Sequence, residues 1–291
     1  MRHKSQPLKT LAFTLTLALA GHSALPARAG EAVTLTHVHG LSYSADGQQL
    51  MIPSHHGMAV YEGGRWSKAA GPTHDYMGFS ATRDTLYSSG HPAPGSGLTN
   101  PFGLIKSRDG GKSWQKLGLD GESDFHTLAT SYATNAVYVF NHGPNSRMKE
   151  AGIYYTLNDG LQWQRADAKG LPSKVNSLAV HPTDARLVAA GGDDGLYLSR
   201  NSAGSFERLV SGKQVLAASF DLNGEQLWFG TYSGEPALFR MSLKAGAKAE
   251  EVKLPTLTKD AAAYVAQNPA RHGEIAIATF KRSVYLSKDQ G

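Results

Sequence analysis

Apolar and polar residues alternate along this chain in short runs broken at regular intervals by turn residues, and no stretch keeps helical spacing long enough to form a long amphipathic helix. Six runs have the same character as openings of a repeated unit, at residues 39–42, 77–80, 126–129, 176–179, 216–219 and 264–266. Each is followed by a second predicted strand, at 50–53, 85–89, 136–140, 186–190, 226–229 and 274–279, and by a third at 58–61, 103–106, 152–155, 196–198, 237–241 and 284–286. Turn sequences such as Ser44-Ala45-Asp46-Gly47, His181-Pro182-Thr183-Asp184 and Asp221-Leu222-Asn223-Gly224 separate first from second strands, as hairpins require. The sixth unit stops after its third strand, while Ala32-Val33-Thr34-Leu35-Thr36 stands unused before the first. Donating that N-terminal strand to the last unit closes a ring and removes the exposed edges of an open one. The expectation is one all-β domain over residues 30–291, with six four-stranded units; a hidden seventh unit is the alternative count.

After its third strand the second unit runs into Ser107-Arg108-Asp109-Gly110-Gly111-Lys112-Ser113-Trp114. Asp109 can accept bonds from amides of its own turn, the two glycines permit positive φ, and Trp114 can fold back as a plug. Weaker copies follow: residues 156–163 with Asn158 at the Asp position, residues 199–206, and the beginning of another at Ser287-Lys288-Asp289. This octapeptide resembles the Asp-box, or bacterial neuraminidase repeat, of β-propellers such as sialidases, the sortilin ectodomain and photosystem assembly factors. The resemblance implies a propeller fold with these turns on the outer hairpins, away from the binding face, and says little about chemistry.

Residues 1–29 read as a secretory signal: basic residues up to Lys9, an apolar run from Leu11 to Ala20 too short for a bilayer span of ~20 residues, and Ala27-Arg28-Ala29 as the cleavage site. The formal charge of +5 comes mostly from that leader, since Arg2, Lys4, Lys9 and Arg28 account for four of the 29 basic residues and 25 remain against 24 acids. A mature chain so nearly neutral gives no footprint for nucleic acid or an anionic membrane. The expected location is periplasmic or secreted, with a monomeric protein and no membrane insertion once the leader is removed. Cysteine is absent, which excludes disulfides and thiolate metal sites.

Histidine is where the sequence hints at chemistry. Eight of the ten histidines beyond residue 29 fall between His37 and His142. His39, Met77 and His126 take equivalent places at the heads of first strands, and His55, His91 and His142 at the exits of second strands. In antiparallel pairs these positions adjoin, so His39 is expected near His55, Met77 near His91, and His126 near His142, all at one mouth. His37 shares a strand face with His39, and His56 follows His55. Imidazoles with thioethers such as Met77 or Met148 favour copper first and zinc second. Asp75 and Asp124 are candidate ligands, orienting groups or weak candidate catalytic carboxylates. The reading is a metal-binding, delivery or assembly protein whose partner is another exported metalloprotein. Against it, each imidazole taken alone reads as a structural strand-head or solvent-facing residue, and the argument rests on their shared register.

Two other functions fit the same mouth. A glycoside hydrolase would use two carboxylates from Asp75, Asp124, Asp193, Asp194 and Glu235. The resemblance to sialidases implies an arginine cluster, which this chain departs from, since Arg147 and Arg282 lie in other loops and no arginine heads a first strand. A metal-free interaction propeller would present aromatics such as Tyr76, Phe125, Phe140, Tyr232, Tyr264 and Phe280. No nucleophile elbow, phosphate loop or His-Glu-x-x-His motif is present. Two long connections, residues 92–100 and 143–150, interrupt the repeat where loops carry function, whereas His181 and His272 sit in first-to-second-strand turns on the far rim and read as structural.

Overall fold

The computed structural model describes residues 35–172 and 174–289. It is an all-β propeller of six antiparallel blades, with no helix among the described residues. Blades one to five have four strands in sequential order and blade six has three among the described residues. The sequence places the first three strands of every blade within a few residues; blade two, for example, has Asp75–Ala81, Leu86–His91 and Leu104–Ser107. Fourth strands such as Arg65–Lys68 and Gln115–Gly118 are short and exposed, so they carry little apolar signal.

Middle strands read as continuous apolar runs because both of their faces are covered, as in Val188–Gly192, where every residue is buried. The core lies between blades. Six apolar clusters occupy the six joints: Tyr76 and Met51 between blades one and two, Tyr87 and Val139 between two and three, Tyr138 and Val188 between three and four, Leu196 and Phe229 between four and five, Trp228 and Ile277 between five and six, and Tyr43 and Ala276 between six and one. The ring is therefore closed by packing. Residues 32–34 of the expected closing strand and the predicted leader, 1–29, lie outside the described residues. Leu35 and Thr36 are not in a strand, and the Leu35 carbonyl accepts a bond from Arg282 Nη1 of blade six at 3.0 Å.

The four turns that resemble Asp-boxes share one bonding scheme. Ser107 Oγ donates to Asp109 Oδ1 at 2.7 Å and accepts from Gly111 N at 2.8 Å; Ser113 N donates to Asp109 Oδ1 at 2.9 Å; Trp114 Nε1 donates to the Gly111 carbonyl. The hydrogen bond from Ser113, with the others, depresses the Asp109 carboxyl to about 2. Thr156 with Asn158 and Ser199 with Asn201 repeat the hydroxyl-to-Asx bond and the amide bond from four residues on, and Ser287 with Asp289 repeats the first. Register fixes where these turns lie. Asp75 pairs with His91 at one end of blade two, while Leu86 pairs with both Ala81 and Ser107 at the other. These turns thus stand on the rim opposite the histidines.

Candidate metal centre

In blade one, Ser54 pairs with Gly57 across a two-residue turn that holds His55 and His56. Gly57 takes φ 99°, a conformation that favours glycine, and its amide donates to the His74 carbonyl at 2.9 Å. The turn leaves His55 half-buried and His56 exposed. On the neighbouring segment His39 N donates to the Pro53 carbonyl, while Ser54 Oγ bonds Thr36 Oγ1 and accepts from His37 N. Alternation then puts the His37 and His39 rings on one side. The ring centroids of His37, His39 and His55 are 4.6–5.7 Å apart, and one ring nitrogen from each lies within 4.8 Å of the others.

His55 Nε2 and His37 Nδ1 share a 2.7 Å hydrogen bond, and His55 Nδ1 bonds Asp75 Oδ1 of blade two at 2.8 Å. His39 Nε2 is buried with no partner. Burial, and then the neighbouring His55 and His37, hold the His39 imidazole neutral by lowering its pKa to about 4.

A second chain begins beside Asp75, because Asp75 and His91 are cross-strand partners. His91 Nε2 donates to Asp124 Oδ2 at 3.1 Å, and His126 Nε2 donates to the same oxygen at 2.6 Å. His91 Nδ1 bonds Asn100 Oδ1 at 2.7 Å, from the long loop of blade two. Asp124 is held at the mouth because the next residue, Phe125, is buried and donates its amide to Ser89 Oγ. Asp124 Oδ1 is buried without a partner. The Asp124 hydrogen bond raises the His126 pKa, and burial only partly opposes it.

His39 and His126 both line the axial channel, a cavity of about 240 Å³. Around this mouth the structure gathers His37, His39, His55, His91 and His126 with Asp75 and Asp124. Four of the residues named from the sequence take other roles. Met77 is not among the residues that line the channel, and it is not paired with His91: a β-bulge between Tyr76 and Phe79 shifts the pairing, so Asp75 takes the place opposite His91. His142 is exposed against the Phe140 ring, 5.0 Å between centroids, and makes none of the cluster's bonds. His56 points to solvent from its turn, and Met148 is fully buried in the core between blades two and three. Asn100 was missed because only its loop length gave a signal.

The other residues have settled structural partners. His74 Nδ1 accepts from Ala93 N and pins the long loop, and His181 accepts two amides of its own turn through Nδ1. His272 bonds the Pro269 carbonyl. Asp193 is taken up by Asn176, Gln214 and Lys174, and Asp194 by Tyr197 and Arg208, while Glu235 is exposed. Arg147 donates to the Gly160 carbonyl and Arg282 to that of Leu35. Tyr76 and Phe125 are core residues, whereas Phe280, 56% exposed, stands at the channel mouth.

Three imidazoles with an acid on the far nitrogen of one suit a borderline divalent metal. Tetrahedral zinc at ~2.0–2.1 Å from each nitrogen requires nitrogens about 3.3 Å apart, and here one ring nitrogen from each histidine lies within 4.8 Å of the others. Zinc-bound histidines characteristically give their second nitrogen to a carboxylate, as His55 does to Asp75.

No protein-family model and no curated protein sequence matches this chain. Among solved structures, a GH74 enzyme from Niastella koreensis superposes with TM-score 0.61 at 13% identity over 88% of this chain and 44% of its own. An ancestral GH74 enzyme gives 0.54 at 14% over 86% and 36%. A structure described as a putative gluconolactonase gives 0.61 at 13% over 88% and 90%. This chain spans less than half the length of either GH74 enzyme. At such identities the likeness shows the propeller fold and nothing of the chemistry.

Proposed function

We propose that this protein binds one transition-metal ion on His37, His39 and His55 at the axial mouth, and that it does so after export, with residues 1–29 serving as the leader. The observation that carries the reading is the buried, unpartnered Nε2 of His39 beside two further imidazoles, one of them oriented by Asp75. A buried polar atom without a partner costs ~1–3 kcal/mol, which a bound cation would remove. With Met77 and Met148 outside the set, copper rests on a different argument. For imidazole donors the order of divalent affinities puts copper(II) above zinc(II). A delivery or assembly role toward another exported metalloprotein remains the wider proposal, and the shared turn scheme supports kinship with Asp-box propellers.

The test is calorimetric titration of untagged, metal-stripped protein with copper(II) and zinc(II). One site per chain is expected, weakened at least 100-fold in His39→Ala and His55→Ala and unchanged in His56→Ala and His142→Ala. Equal binding by all four variants overturns the assignment. A glycoside hydrolase is less well supported, because Asp75 and Asp124 are both engaged by imidazoles. Turnover of aryl glycosides that dies in Asp75→Asn and survives chelation would reverse that ranking.

A further inference from the structure

The channel behind the metal mouth has a chemical character of its own. Its lining includes neither Lys, Arg, Asp nor Glu; past His39 and His126 it is uncharged, with Leu41, Phe79, Leu178 and Tyr264 among its walls, hydroxyls between them and the carboxamides of Asn176 and Gln267. A phosphate or carboxylate group finds no cation there, whereas a neutral chain of a few carbons fits in about 240 Å³. On the same mouth His126 is fixed through Nε2 by Asp124, and its Nδ1 has no partner among the described residues. Asp124 is itself braced by His91, which is braced in turn by Asn100. Three protein ligands leave a fourth position for water, the arrangement of catalytic rather than structural zinc sites.

From this juxtaposition we infer that the zinc(II)-loaded protein hydrolyses uncharged carboxylic esters of short acyl chain, with the acyl group in the channel and His126 serving the leaving alcohol. The inference rests on the metal reading above. Water at the fourth position gives up a proton, which passes to the His126 ring, and adds to the ester carbonyl carbon. The bond from that carbon to the alcohol oxygen breaks, and the departing oxygen takes the His126 proton. His126 recovers a proton from the next ionising water, so ester plus water becomes acid plus alcohol with no oxidant or reductant. Asp124 is a positioning residue that sets the His126 ring.

The experiment uses full-length protein stripped of metal and reloaded with zinc(II), with metal content measured in every sample. Ethyl butanoate, whose leaving group is poor, and p-nitrophenyl butanoate, whose leaving group is good, are followed side by side. Saturable hydrolysis at least 100-fold above the metal-free protein is expected for both. His126→Ala should lose at least 10-fold in kcat on the ethyl ester and under threefold on the nitrophenyl ester, with zinc still bound. Ala218→Leu, which narrows the channel, should raise KM for butanoate more than for acetate. One zinc per chain with no hydrolysis, or copper(II) bound but no zinc(II), overturns this inference and leaves the metal reading standing, whereas a protein that binds neither ion overturns the metal reading itself. A His126→Ala enzyme that slows equally on both esters removes the assigned role of His126.

Discussion

A buried imidazole beside two others faces a choice between losing its proton and losing its place, and His39 loses its proton. Its pKa in the fold is about 4 against 6.5 for the free side chain, so between those values the unfolded chain binds a proton that the native one refuses. The resulting stability is complete above pH 6.5 and drains away as pH falls toward 4. His126 has the opposite sign: Asp124 raises its pKa, so its contribution is full below 6.5 and fades as pH rises through the raised value. Asp109, depressed to about 2 from 3.8, titrates in a lower, separate window. Thermal unfolding of metal-free protein should therefore show Tm falling from pH 7 to pH 4.5, with a shallower fall in His39→Gln. Parallel pH profiles for the two proteins would mean that His39 is hydrated in a way its burial does not suggest.

At the scale of strands, the site depends on close backbone approach between the first two strands of blade two. Gly90 sits at φ 138°, and a Cβ there would fall 2.1 Å from the Asp75 carbonyl oxygen and 2.9 Å from Met77 N. Gly90→Ala is expected to cost about 2–3 kcal/mol in denaturant unfolding. It should also weaken metal binding by 10–100-fold, because it displaces the Asp75 that orients His55. Gly143→Ala, which meets nothing within 4 Å, is the control and should change neither. The same strand pair shows what was legible in the sequence. Repeat spacing located the first three strands of all six blades, and it grouped His39, His55, His91 and His126 on one rim, because strand ends follow from turn chemistry. It could not locate the bulge at Met77, which inserts residues without an apolar signature and brings Asp75 opposite His91. Nor could it foresee the linked hydrogen bonds through Asp75 and Asp124, since partnership between blades depends on how neighbouring sheets twist.

A ring of blades has no edge only if its last joint holds, and here that joint is polar as well as apolar. Asn268, fully buried, donates from Nδ2 to the Gly47 carbonyl and to Glu274 Oε1, both at 2.9 Å, while its Oδ1 accepts the amides of Ala270 and Arg271. Arg271 Nη2 reaches the same Gly47 carbonyl at 2.8 Å. Gly47 lies in the turn after the first strand of blade one, on the rim away from His55. Asn268→Ala leaves the amides of Ala270 and Arg271 without a partner, while Glu274 Oε1 keeps Arg271 Nη2, so about 2–3 kcal/mol of stability should be lost. Because each apolar cluster is shared by two neighbouring blades, unfolding should remain one transition, with a lower denaturant midpoint and an unchanged slope. Metal affinity of the folded variant should match the parent, since the joint and the histidines occupy opposite rims. Saturating metal should then raise the midpoint of both proteins by the same amount, as linkage requires when the ligand binds only the folded ring. An early transition confined to blades one and six would show instead that the ring opens at this seam before the rest unfolds, and that the axial site exists only while the seam is shut.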